Sequence, residues 1–108
     1  MNSESLKIIQ NFVNDTKRIL KDNLVEEYLF GSYARKEPDE LSDIDILIIV
    51  KRFNSKIRRQ MSALASDYSL ENNVIISPVI KDIQTWEKNK KYRTFFFSEI
   101  DRDGLKLC

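Results

Sequence analysis

Apolar residues near the start of the chain recur at helical spacing: Leu6, Ile9 and Val13, then Ile19 and Leu20, with Ile8 and Phe12 widening the stripe. That pattern predicts an amphipathic helix from about Ser5 to Lys21. The period then changes. Val25 to Phe30 is a short apolar-rich run that stops at Gly31 and reads as a strand. A helical turn after Gly31 leads into the polar stretch ARKEPDELS, and Ile44 to Val50 is β-branched throughout most of its length. Its shortness and composition predict a buried strand. Ser55 to Leu70 returns to helical spacing, with Ile57, Met61, Leu64 and Tyr68 on one face and Ser55 as the N-cap. Val74 to Ile80 reads as a third strand, and Pro78 inside it demands an edge position or a bulge. Asp82 opens a helical region through Trp86. A last short helix covers Thr94 to Asp103, ended by Gly104 in a left-handed C-cap. The order α-β-turn-β-α-β-α predicts one α/β (α+β) domain over residues 1–108, with helices packed on a small mixed sheet.

Composition narrows what such a domain does. The 108 residues are 42% hydrophobic and 32% charged, as in ordinary globular proteins, and 18 basic residues nearly balance 17 acidic ones. A net charge of +1 provides no global attraction to nucleic acid or to a membrane surface, so any anion must be held by local arrangement. The lone cysteine, Cys108, excludes an intrachain disulfide, and zinc-ligand spacing is missing. There is no histidine, which removes histidine-based triads, acid–base pairs and metal sites. No apolar run approaches the roughly 20 residues of a membrane-spanning helix. The start, MNSESLKIIQ, lacks the basic and apolar regions of a signal peptide. The expected location is the cytoplasm. Carboxylates, hydroxyls and backbone amides remain for chemistry.

Those groups concentrate in one place. Asp45 lies within the apolar run DIDILIIV, where an isolated charge would cost several kcal/mol unless paired, hydrogen-bonded or bound to a metal. Asp43, two residues earlier, faces the same side of an extended chain, roughly 6–7 Å away. The pair is close enough to share one Mg²⁺ or to straddle two. Its alternative reading is a turn residue followed by a salt-bridged strand-end residue. Gly31-Ser32 ends the preceding strand, and a backbone without Cβ lets a ligand approach closely. If a short helix starts at Ser32, free amides make a phosphate site there. A plain strand-to-helix turn capped by the serine is the alternative. Arg35 and Lys36, just beyond, are either phosphate contacts or solvated surface charges.

Taken together, GSYARKEPDELSDIDILII, with ten residues between Ser32 and Asp43, resembles the signature of the nucleotidyltransferase superfamily related to DNA polymerase β. The similarity is greatest to the minimal nucleotidyltransferases, or MNT proteins, and spans most of the chain. The resemblance implies that Gly31 and Ser32 hold a triphosphate and that Asp43 and Asp45 hold Mg²⁺. Arg35 is expected to assist at the phosphates. An acceptor then displaces pyrophosphate from the α-phosphorus of ATP, chemistry that depends on positioning and charge neutralisation.

The superfamily's third metal-binding carboxylate has no counterpart here. Residues Val74 to Ser77 cover its expected place, and Asp67, Glu71 and Asp82 fall outside the strand. Nucleotide binding is expected without it, while transfer is the open point. The short chain leaves the acceptor to be presented by something else, and MNT proteins commonly pair with a helical HEPN protein. The resemblance therefore implies a HEPN toxin as partner, neutralised by addition of AMP. The alternative is a degenerate module that inhibits the same partner by contact. A homodimer closing the site over a small acceptor is a third arrangement. The segment WEKNKKYRTFFFSEI, with Trp86, Tyr92, Phe95, Phe96 and Phe97, is either core or docking surface, and its lysines and arginines are expected to form a solvated face.

Overall fold

A computed structural model describes residues 3–35 and 43–108. Helix α1 runs over Ser3–Leu20 and is followed by a 3₁₀ turn at Lys21–Asn23 and strand β1 over Leu24–Phe30. A single turn, α2, covers Gly31–Ala34, and β2 covers Ile44–Val50. Helix α3, Ser55–Asn72, leads to β3, Ile76–Asp82, then to α4, Ile83–Lys91, α5, Phe95–Asp103, and the two-residue β4, Leu105–Lys106. The strands form one mixed sheet in the order β3-β2-β1-β4. β1 is antiparallel to both β2 and β4, and β3 runs parallel to β2.

Period-two alternation in β2 sorts its side chains onto two faces. Ile44, Ile46, Ile48 and Val50 join Leu29 and Ile76 under α1 and α3, which contribute Ile9, Phe12 and Met61. Leu47 and Ile49 join Phe30, Trp86 and Ile100 under α4 and α5. Every residue of β2 from Ile46 to Val50 is fully buried, as expected for an inner strand covered on both sides. β3 is the edge strand that Pro78 requires, because its outer edge needs no ladder donor.

Several boundaries differ from the sequence expectation. β3 begins two residues later than expected and ends at Asp82, which also caps α4 by accepting from the Thr85 amide at 2.7 Å. α4 continues past Trp86 to Lys91. The cap of α3 is Asn54, whose side chain accepts from the Ile57 amide at 3.0 Å, so Ser55 is the first helical residue. Asn73 takes the left-handed conformation after α3. Gly104 does not: its φ is −65° and its ψ 140°. Glycine is needed there for proximity, since a Cβ would stand 2.5 Å from the Ile100 carbonyl oxygen. The chain then turns back as β4, an element that the sequence pattern did not predict.

One polar pair lies inside the core under α1. Glu27 of β1 and Thr16 of α1 are both fully buried. The Thr16 hydroxyl is 2.8 and 2.9 Å from the two Glu27 carboxyl oxygens and 2.8 Å from the Val13 carbonyl. A hydroxyl has one proton to give. An ionised Glu27 therefore competes with Val13 for it, whereas a protonated Glu27 donates to Thr16, which in turn donates to Val13. Burial pushes the Glu27 pKa up to about 7, against the opposing pull of the Thr16 hydroxyl and the Lys17 ammonium.

Candidate functional site

The sheet end where β1 stops and β2 starts gathers the residues that sequence reasoning singled out. Phe30, the last residue of β1, pairs with Asp45 of β2. The chain then turns at Gly31 with φ +72°, a left-handed conformation that disfavours other residues. A Cβ at Gly31 would overlap Asp45 Oδ2, so the turn backbone passes directly against that carboxylate. Glycine serves both requirements at once.

Ser32 is half-buried in α2. It is not the helix cap: Phe30 holds the N-cap position and provides no side-chain acceptor. The N-cap position therefore supplies no side-chain acceptor to the first amides of the turn, which have no carbonyl of their own helix to bond. Arg35 ends the turn and reaches α5, where its guanidinium lies 3.6 Å from the Glu99 carboxylate. Lys36, the other basic candidate, lies outside the described residues.

Asp43 and Asp45 stand on the face of the sheet that α4 and α5 cover, and both are half-buried. Asp45 has its carboxyl pKa raised, first by burial and then by the negative charges of Asp43 and Glu99, with Arg35 acting the other way. Asp43 accepts from the Ser77 hydroxyl at 3.0 Å. In the parallel ladder Ser77 is the partner of Asp45. A neutral hydroxyl thus occupies the strand position beside the pair. Asp82 is at the far end of β3, opposite Val50, and Asp67 and Glu71 are exposed on α3. None of the three completes the site. Among the described residues, no group of three or more Asp, Glu, Cys or His side chains is placed to hold a metal ion.

Two neighbours were missed by sequence reasoning. Ser77 sits in a strand that carries no carboxylate between Val74 and Ile80, and a lone serine there gives no signal. Glu99 sits in the aromatic segment and is brought in by the docking of α5. Beside Glu99 a groove of about 660 Å³ is lined by Arg35, Arg93, Phe95, Phe96, Ser98 and Arg102. The aromatic segment is divided between the two roles considered for it. Trp86 is buried, and Phe96 and Phe97 pack against it, while Tyr92 and Phe95 are 70% and 98% exposed.

Chemically, two carboxylates on neighbouring residues of one strand face, next to uncapped amides and a guanidinium, suit a divalent cation and a polyphosphate together. Mg²⁺ is ordinarily held by one or two carboxylates, with phosphate oxygens and waters completing its shell. The donor set here fits that pattern. The burial and neighbouring negative charge that raise the Asp45 pKa are what a bound cation relieves.

Residues 9–105 match the family model of a nucleotidyltransferase domain. A Methanocaldococcus jannaschii protein named "putative protein adenylyltransferase" is 39% identical over 105 residues, covering 96% of this chain and 99% of that protein. Among solved structures, a toxin–antitoxin with AMP-PNP superposes with a TM-score of 0.64 at 22% identity, covering 92% of this chain and 72% of that one. A tri-AMPylated Shewanella oneidensis HEPN toxin in complex with MNT antitoxin superposes with a TM-score of 0.56 at 20% identity, covering 94% and 71%. At these identities the solved structures show a shared fold.

Proposed function

We propose, from the premise that the chain belongs to the nucleotidyltransferase domain family, that it transfers AMP from ATP to a partner protein at the Gly31–Asp45 corner. The observation that carries this reading is the contact of Gly31 with Asp45. It places the uncapped amides of α2 beside the half-buried carboxylate, so one small volume offers donors for phosphate oxygens and acceptors for a cation. In this reading Gly31 and Ser32 hold the triphosphate through backbone amides and the serine hydroxyl. Arg35 neutralises phosphate charge. Asp43 and Asp45 would hold Mg²⁺, which when bound neutralises the phosphates and lowers the barrier to displacement at the α-phosphorus.

The acceptor comes from outside the domain. Its approach is along the groove beside α5, which Arg35 and Glu99 line and where Phe95 is almost fully exposed. The partner we propose is a HEPN-domain protein, on the model of the toxin–antitoxin complexes that share this fold. The role is then that of an antitoxin which modifies its toxin. The whole unit acts as one minimal domain over residues 1–108. Among the described residues no helix is long and apolar enough to cross a membrane.

A second reading has its own support. Ser77, in register with Asp45, is uncharged and leaves the corner with two carboxylates, which supports a module that binds a partner without transferring to it. Intact mass of the partner after incubation with ATP and Mg²⁺ separates the two. Transfer adds one or more AMP units, lost with Asp45→Asn. Complex formation with no mass gain, unchanged by Asp45→Asn, would overturn the enzymatic reading.

A further inference from the structure

Asp43 differs from Asp45 in how it is anchored. Asp45 lies within β2, paired on one side with Phe30 and on the other with Ser77. Asp43 precedes the first residue of the strand, Ile44, whose amide donates to the Ile75 carbonyl at 2.8 Å. The terminal torsion of an aspartate is broad, so a carboxylate at such a position turns unless something holds it. The Ser77 hydroxyl does so: it donates to Asp43 Oδ2 at 3.0 Å from the neighbouring strand.

We propose that Ser77 is a positioning residue for the cation site, fixing the Asp43 carboxylate so that its other oxygen, Oδ1, is presented to the metal. This deepens the proposed nucleotidyltransferase function and rests on it. A hydroxyl gives a single proton, so one carboxylate oxygen is engaged and the second keeps its lone pairs. Mg²⁺ demands near-ideal octahedral geometry and tolerates little error in ligand direction. Hydrogen bonds from the shell behind the ligands supply that direction, and their loss commonly costs 10- to 100-fold in metal affinity, on the order of what is expected here. Serine does this without adding charge. A carboxylate at position 77 would stand in register with Asp45, which already faces Asp43 and Glu99. Ser77 therefore gives the corner an orienting group while limiting its negative charge, which suits a single cation arriving with the nucleotide.

The test compares Ser77→Thr with Ser77→Val, two residues of the same shape that differ by a hydroxyl and both suit a strand. The probe is Mn²⁺, titrated in the presence of a non-hydrolysable ATP analogue, with free Mn²⁺ read by electron paramagnetic resonance. Ser77→Val is expected to bind Mn²⁺ about 10- to 100-fold more weakly than Ser77→Thr, with Thr close to the natural protein. Equal thermal midpoints for the two variants would exclude a purely structural effect. Equal Mn²⁺ affinity in Val and Thr, whether both high or both low, would overturn the proposal. Asp45→Asn in the same titration separates the two levels of failure. If it loses Mn²⁺ while Ser77→Val does not, only the role of Ser77 falls; if it also keeps Mn²⁺, the corner is not the cation site.

Discussion

Glu27 and Asp45 sit on adjacent strands of one sheet, on opposite faces, and burial raises the pKa of both. Their surroundings make them different objects. Glu27 is closed in by α1 and shares the single proton of the Thr16 hydroxyl with the Val13 carbonyl, so burial favours its neutral acid. Asp45 is half-buried at the sheet end and faces further carboxylates, a glycine backbone and an arginine. A proton satisfies the first site. In the proposed function the second takes a cation that also binds phosphate. Burial alone therefore does not mark a functional carboxylate; what surrounds it, and whether a ligand can reach it, does.

The comparison is broken most sharply at Asp45. Asp45→Asn is expected to lower transfer by about three orders of magnitude, or ~4 kcal/mol, measured as the rate of AMP incorporation. The same change is expected to raise the thermal midpoint, because it removes a charge that folding disfavours. Glu27→Gln should leave transfer intact, and its stability effect depends on pH. A carboxyl whose folded pKa is raised from 4.5 to about 7 carries no penalty below pH 4.5, a growing one between 4.5 and 7, and the full one above. Denaturant unfolding should therefore show Glu27→Gln gaining on the natural protein by about 2–3 kcal/mol between pH 4.5 and pH 8, since one pKa unit is worth ~1.4 kcal/mol.

Gly31→Ala is expected to cost about 2 kcal/mol through the left-handed backbone and to reduce transfer as well, since the added methyl displaces Asp45. Chemical unfolding and AMP incorporation on the same preparation check both parts. Thr16→Val leaves the Glu27 carboxyl without its partner and should cost about 1–3 kcal/mol, more at pH 8 than at pH 5. The smallest effect is expected at Phe95. Phe95→Ala should change stability by less than about 0.5 kcal/mol, because the ring is exposed, yet weaken complex formation with the acceptor in a pull-down or titration.

The legible parts of the fold were those with local patterns. The run Ile44–Val50 coincides with β2 to the residue, because an inner strand needs apolar side chains on both faces. Pro78 limited its strand to an edge position or a bulge, and β3 takes the edge, where the ladder has no use for the missing donor. Gly31, Ser32, Asp43 and Asp45 stood out because carboxylates entering an apolar strand are costly unless something binds them, and a glycine turn beside them leaves room for it. The fold brings all four to one corner. What sequence could not show depends on tertiary docking. Thr16 lies in the apolar stripe of α1, three residues after Val13 and four before Leu20, and Glu27 shares strand parity with Leu29; only the packing of α1 on β1 joins them. The role of Ser77 needs the parallel register with β2, and Glu99 needs α5 to fold back. β4 is two residues long and exists through its pairing with Tyr28 and Leu29, so no periodicity announces it.

The most direct test of the contrast between the two sites is calorimetric titration of a non-hydrolysable ATP analogue, with and without Mg²⁺, into the natural protein, Asp45→Asn and Glu27→Gln. The expected result is Mg²⁺-dependent binding in the natural protein and in Glu27→Gln, lost in Asp45→Asn. Binding that ignores Mg²⁺, or that survives Asp45→Asn unchanged, would contradict the assignment of the corner as a cation and nucleotide site.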